Sequence, residues 1–197
     1  MPYSDPSFDA EIAKFVKNHP MSKYLDIGVG SGKYSEIINK NVKNPTIVGV
    51  EAETDYISQF KLKEKYSVLY NQKIEDFIDE NPDFHTDIVI IGDCIEHLKK
   101  SDGVDILHFL VYRSSYIILV FPTQYVQYSW KGHSTEAHRS VWDASDFKQF
   151  EFKIKRKGVM NMAIIKGFLN SSKTTYVPGH FESSDSDMKV DKPSTSV

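Results

Sequence analysis

Asp26-Ile27-Gly28-Val29-Gly30-Ser31-Gly32 follows a short apolar run, Tyr24-Leu25, and opens an apparent helix from Tyr34 to Asn41. Glycines at alternate positions let a backbone turn sharply and approach a ligand that any Cβ would hold away. A carboxylate just before them and a helix N-terminus just after suit a ligand with positive charge and hydrogen-bonding groups. A dinucleotide fingerprint needs its third glycine at position 33, which is Lys33 here; the glycine falls at Gly32. The spacing is Asp-x-Gly-x-Gly-x-Gly, and that one-residue difference argues against a pyrophosphate cradle.

Such loops also serve as plain strand-to-helix turns. The second signal is Glu51, at the end of the next apolar run, Thr46-Ile-Val-Gly-Val50. A carboxylate at the tip of a second strand is placed to accept hydrogen bonds from both hydroxyls of a ribose. Together the two signals resemble the class I S-adenosylmethionine (SAM) dependent methyltransferases, from about Tyr24 to Leu169. The resemblance implies that Asp26, Gly28, Gly30 and Gly32 hold the methionine end and ribose of SAM. It further implies that Glu51, with Ala52 beside it, takes the ribose diol, that Lys73 and Ile74 flank adenine, and that Asp93 borders the cofactor.

Around this loop, apolar runs alternate with helical patterns. Candidate strands are 23–29, 46–52, 67–71, 86–92 and 115–121, and the runs Ile88–Ile91 and Tyr116–Phe121 are apolar enough for strands buried on both faces. Helical spacing falls at 54–66 and 103–113, a shorter helix at 143–150, and an amphipathic helix at 7–18 capped by Ser7. Two alternating stretches, 151–157 and 160–169, split by Gly158, read as an antiparallel hairpin closing the sheet edge. The expected fold is α/β: a Rossmann-like, seven-stranded, mostly parallel sheet with a C-terminal antiparallel hairpin and helices on both faces. The methyltransferase domain spans 1–169. From Asn170 the composition turns polar and serine-rich, so 170–197 reads as a flexible tail or linker.

A chain of 197 residues suits one domain with one core, and 40% hydrophobic with 26% charged residues is ordinary for a soluble globular protein. The net charge of −3 offers no reason to expect a long polyanion as partner. The basic cluster Lys153, Lys155, Arg156 and Lys157 reads as a solvated edge. Cys94 is the only cysteine, which excludes an internal disulfide framework and a cysteine-based metal cluster and fits a reducing, cytoplasmic setting. No apolar run approaches a membrane span.

The chemistry is carried by Asp93-Cys-Ile-Glu96-His97, just past the fourth strand. Residues three and four apart share a helix face, so Asp93, Glu96 and His97 can converge at the carboxyl end of the sheet, where open α/β folds bind ligands. Two converging carboxylates repel unless a cation or proton lies between them. A divalent metal with oxygen and imidazole ligands fits that need. The alternative is that Asp93 caps a helix, Glu96 is solvated and His97 is a core residue. The long segment Phe121 to Trp142 favours the metal, because it carries His133, Glu136 and His138 over the same sheet end.

Carboxylate-x-x-Glu-His is similar to the metal site of the ubiquinone-biosynthesis O-methyltransferases. With a histidine four residues before a tryptophan, it also resembles the small-RNA 3′-terminal 2′-O-methyltransferases. Carried over, Asp93, Glu96, His97 and His138 would be ligands of Mn²⁺ or Mg²⁺. Asp93 departs from the Glu usual at the first position, and Glu136 stands where the RNA enzymes have a further histidine.

The implied reaction is methyl transfer from SAM to a hydroxyl oxygen, with Asp93 at the reacting centre and His133 or His138 taking the proton. A vicinal diol suits a pyranose in a glycan, such as a deoxyhexose like rhamnose, or the terminal ribose of an RNA. The lack of a basic groove weighs against nucleic acid. Tyr125, Tyr128, Trp130 and Trp142 suit sugar faces, or else anchor the loop. A catechol or quinol methyltransferase and a catalytically silent SAM-fold module are the competing readings; the first lacks a Leu- and Met-rich lid, and the second has no need for Asp26, Glu51 and Asp93.

Overall fold

Alternate residues of each central strand feed two separate cores, as the two-residue period of a strand requires. The computed structural model describes residues 3–129 and 132–169. Strand β1 (Lys23–Ile27) sends Leu25 and Ile27 to one side and Tyr24 to the other. After β2 (Thr46–Val50) and β3 (Val68–Tyr70), strands β4 (Ile88–Gly92) and β5 (Tyr116–Pro122) divide in the same way. Val89, Ile91, Ile117 and Leu119 join the first core, and Ile88, Ile90, Ile118 and Val120 the second. Every residue of β4 is buried, which is why it shows no polar alternation.

Helices cover both faces. On the second face lie α1 (Asp9–Asn18), α2 (Lys33–Asn41) and α3 (Thr54–Gln59), through Ile12, Val16, Ile38 and Tyr56. On the first lie α4 (Ile74–Glu80) and α5 (Lys100–Val111), through Phe77, Ile106 and Leu110. Each fully buried aliphatic or aromatic side chain contributes about 1.5–3 kcal/mol of transfer free energy.

The sheet order is β3-β2-β1-β4-β5-β7-β6, with β6 (Phe152–Lys157) and β7 (Met160–Lys166) forming the hairpin. Strands β1 to β5 pair in parallel, and β7 inserts antiparallel between β5 and β6. This is the expected seven-stranded, mostly parallel sheet. The crossover between β1 and its two neighbours leaves a crevice at their carboxyl ends, where open α/β sheets bind ligands.

Element type or capping differs from expectation in three places, besides shifts of a few residues at other element ends. The first helix begins with a single 3-10 turn, Pro6–Phe8, capped by Asp5 instead of Ser7: the Asp5 carboxylate accepts the Ser7 N–H at 2.8 Å. Pro6 at the first helical position favours this, since its missing N–H would be unpaired there anyway. The expected helix at 54–66 stops at Gln59; Lys61 takes a left-handed φ of 51°, and a 3-10 turn, Leu62–Glu64, follows. The expected helix at 143–150 is a 3-10 turn, Ala144–Phe147, held by a capping box between Asp143 and Asp146. No helix among the described residues is long and apolar enough to cross a membrane. The segment 170–197 and Trp130 lie outside the described residues.

Candidate active site

The glycine loop takes its shape from backbone conformations that other residues avoid. Gly28 has φ +70°, and a Cβ there would lie 2.5 Å from Cys94 Sγ. The loop therefore presses against the segment after β4, and only glycine allows it. Gly30 donates its N–H to Glu51 Oε2 at 2.8 Å, and Glu53 donates its N–H to Glu51 Oε1 at 2.8 Å. These two bonds fix the Glu51 carboxylate at the end of β2, with a further lone pair on each oxygen. Burial raises its pKa against the lowering effect of those N–H donors.

A cavity of about 250 Å³ opens at the carboxyl ends of β1, β2 and β4. Gly28, Gly30, Glu51, Ala52, Lys73 and Ile74 line it, as does Asp93. All seven were expected at the cofactor. Two others were not brought there. Gly32 is the residue before α2, where its φ of +83° turns the chain into the helix. Asp26 is fully buried beneath the loop and accepts the Tyr66 hydroxyl at 2.5 Å on Oδ2. Burial pushes the Asp26 carboxyl up to about 7. Asp26 thus turns towards Tyr66 and does not line the cavity. The sequence pattern singled out neither Glu53 nor Tyr56, Ser134, Thr135 nor Arg139, which also line the cavity.

Beside the cavity, Glu96, His97 and His138 offer ligand atoms that all lie within 4.8 Å of one another. Glu96 sits in a 3-10 turn, Ile95–His97, that follows β4 directly. Its side chain is buried, and Oε2 has no hydrogen-bond partner among the described residues. Burial, then the nearby Asp93 carboxylate, drives its pKa well above the usual carboxylate range. His97 Nδ1 faces the Ala137 carbonyl at 3.3 Å, and His138 Nδ1 faces the Tyr125 carbonyl at 2.7 Å. A carbonyl only accepts, so both Nδ1 atoms carry the proton and both Nε2 atoms keep a free lone pair. Burial holds both imidazoles below their ordinary pKa, so they are neutral near pH 7. An orphaned carboxylate oxygen and two neutral imidazoles with backbone-fixed tautomers fit a divalent cation.

Asp93 falls outside this cluster. It adopts a left-handed φ of 49°, and its Oδ2 accepts the Asp5 N–H at 2.8 Å. Its short side chain is thereby committed to the N-terminal segment, which Lys33 also grips through the Ser4 and Asp5 carbonyls. His133 differs from expectation too: it does not line the cavity, and its Nδ1 lies 2.9 Å from Glu53 Oε2. Trp142 is 1% exposed, stacks on Phe147, lies under the Lys100 ammonium and donates to Ser140 Oγ at 2.7 Å. It anchors the loop and offers no face to a sugar. Tyr125 and Tyr128 are 55% and 86% exposed and remain open to solvent.

The loop carrying His138 is fastened to the turn carrying Glu96. The Glu96 carbonyl accepts the N–H of Arg139 at 2.7 Å and of Ser140 at 3.1 Å. One backbone group thus sets the distance between two members of the cluster.

No protein-family model matches the chain, and no curated protein matches it in sequence. Solved structures do match in fold. An O-methyltransferase family protein from Burkholderia thailandensis superposes with a TM-score of 0.62 at 9% identity, over 81% of this chain and 55% of that one. The chain thus spans little more than half of that relative. A SAM-dependent methyltransferase from Archaeoglobus fulgidus gives a TM-score of 0.57 at 17% identity, covering 80% of this chain and 94% of the other. The N-terminal domain of EvdMO1, crystallised in the presence of SAH and D-fucose, gives 0.55 at 14% identity, covering 83% and 84%. The fold is that of the class I SAM-dependent methyltransferases.

Proposed function

We propose that this chain is a SAM-dependent O-methyltransferase that uses a divalent metal and acts on a sugar hydroxyl of a glycan. The observation that carries the reading is that His97 belongs to both halves of the site. It lines the cavity that also holds the glycine loop and Glu51, and it is one of the three clustered ligand residues. A methyl donor and a chelated hydroxyl would meet at that residue.

In this reading SAM would supply the sulfonium methyl, and Glu96, His97 and His138 would hold Mn²⁺ or Mg²⁺, whose charge would lower the pKa of the acceptor hydroxyl. Glu51 would accept the ribose hydroxyls on its remaining lone pairs, and Lys73 and Ile74 would border the adenine. Fixing the donor against the acceptor is the main task, because the sulfonium is already electrophilic. With SAM bound, methyl transfer would break the S–CH₃ bond as the O–CH₃ bond formed, and a base at the cavity wall would take the hydroxyl proton. We assign that role to Glu136, which lines the cavity with Oε2 3.9 Å from His97 Nε2, whereas His133 faces Glu53.

The sugar acceptor is supported by the exposed rings of Tyr125 and Tyr128 on the loop that carries His138, since sugar faces stack on aromatics. The Tyr125 ring lies 5.6 Å from the His138 ring. The fold relative crystallised with SAH and D-fucose points the same way.

The test is calorimetric binding of SAH, followed by a SAM-consumption screen against sugars, RNA 3′ ends and catechols, with and without chelator. SAH binding and metal-dependent turnover of a sugar diol are expected. Turnover undiminished by chelation would remove the metal role, and turnover of RNA or catechol alone would replace the acceptor.

A further inference from the structure

Two segments separated by 80 residues in sequence meet across the cavity. On one side is the chain just past β2, Glu51 to Tyr56; on the other is the 3-10 turn Ser134–Glu136 of the loop after β5. Three side-chain contacts join them. His133 Nδ1 lies 2.9 Å from Glu53 Oε2, the Thr135 hydroxyl donates to Glu53 Oε1, and the Tyr56 hydroxyl donates to Glu136 Oε1 at 2.7 Å. The Tyr56 and His133 rings lie 5.5 Å apart.

Glu53 occupies the centre of this arrangement. Its backbone N–H holds Glu51, and both of its carboxylate oxygens hold the loop. Two residues beyond Glu136, the same loop delivers His138 to Glu96 and His97. A continuous run of bonded groups therefore links the carboxylate at the cofactor's ribose end to the metal-ligand cluster. Coupling between two sites requires such a physical link and an element that both sites bias. Here that element is the loop, whose docked position both walls one side of the cavity and presents His138.

We propose that Glu53 is a positioning residue: its carboxylate latches the loop after β5 across the cavity, so that cofactor and metal each strengthen binding of the other. The coupling rests on the reading of the cavity and cluster as cofactor and metal sites; the latch does not. A cofactor held against the docked loop stabilises the docked state, in which His138 is in place. By linkage, metal on His138 must tighten the cofactor by the same factor. Bonds from Glu53 contribute only in the docked state, so removing them loosens the loop and uncouples the sites.

The experiment uses the full chain and two measurements. Mn²⁺ is titrated calorimetrically with and without saturating SAH, and amide hydrogen exchange is followed without ligands. In the unmodified protein SAH should tighten Mn²⁺ by about tenfold, within the usual range of such couplings. In Glu53→Ala that ratio should fall to about one, and amides of residues 133–139 should exchange faster while those of β4 and β5 stay protected. Glu53 is partly exposed, so the variant should fold. Adding His133→Ala to Glu53→Ala should change little further, because the Glu53 change already breaks the contact that His133 makes.

Unchanged exchange in the loop of Glu53→Ala overturns the latch, whatever binds. An unchanged Mn²⁺ ratio in that variant overturns the coupling. A loop that loosens in a protein binding neither SAH nor Mn²⁺ keeps the latch and sinks the function proposed above.

Discussion

The Tyr66 hydroxyl donates to Asp26 Oδ2 at 2.5 Å, and the Asp26 carboxylate is sealed from solvent beneath the glycine loop. Asp26 Oδ1 has no hydrogen-bond partner among the described residues, so one bond must offset the burial of the whole group. Burial wins, and the carboxyl rises from 3.8 to about 7.

That shift sets the sign of a pH dependence. The native state keeps a proton on Asp26 that the unfolded chain releases near pH 3.8, so stability falls as pH climbs from there to about 7. Asp93, raised to about 6 by burial, adds to the same slope, whereas His97 and His138 act in the opposite direction. Asp26→Asn keeps an acceptor for Tyr66 and removes the titration. Urea midpoints between about pH 4.5 and 7.5 should therefore show a shallower decline in the variant.

Gly28→Ala should damage both stability and cofactor affinity. The new methyl meets Cys94 Sγ, and φ of +70° is strained for any side chain. A cost of about 1–3 kcal/mol is expected from the strain alone. Cys94→Ala added to it should recover part of the loss, because it relieves the contact and leaves the strain. Denaturant unfolding and SAH titration check both statements.

Loss of the cluster should be visible without any turnover. His138→Ala and Glu96→Gln should each weaken Mn²⁺ by at least about tenfold, since each removes one ligand. SAH affinity measured in the absence of metal should change little in Glu96→Gln, whose side chain does not line the cavity. Equal Mn²⁺ affinity in all three proteins would place the cation elsewhere.

Trp142 separates anchoring from recognition. Trp142→Ala should cost about 3–5 kcal/mol, as expected for deleting a fully buried aromatic side chain. Trp142→Phe should cost less and leave acceptor KM unchanged, because the ring does not reach solvent. A raised KM in the Phe variant with unchanged stability would restore the ring to the acceptor site.

The sheet was readable because the apolar runs of β4 and β5 have no other physical use than burial on both faces. Glu51 was readable because its place at a strand tip is set by local sequence. Asp26 was not: its turn towards Tyr66 depends on a residue 40 positions on, in a segment with no motif. His133 was marked for its chemistry, yet its partner Glu53 lies 80 residues away and only the fold brings them together. Asp93 fits the spacing of a ligand, but a left-handed backbone and the Asp5 N–H redirect it. Spacing reports which groups share an end of the sheet, and long-range contacts decide which way each one points.

The insertion of β7 between β5 and β6 has a consequence for synthesis. Among the described strands, the last in chain order is an interior one, paired along all of β5 from Pro122 to Tyr116. Until residue 166 emerges, β5 keeps an open hydrogen-bonding edge flanked by Ile117, Ile118, Leu119 and Val120, the composition most prone to pairing with a neighbouring chain. The nascent sheet is most exposed to aggregation just before β7 pairs, and the lysine-bearing β6 then takes the edge and guards it.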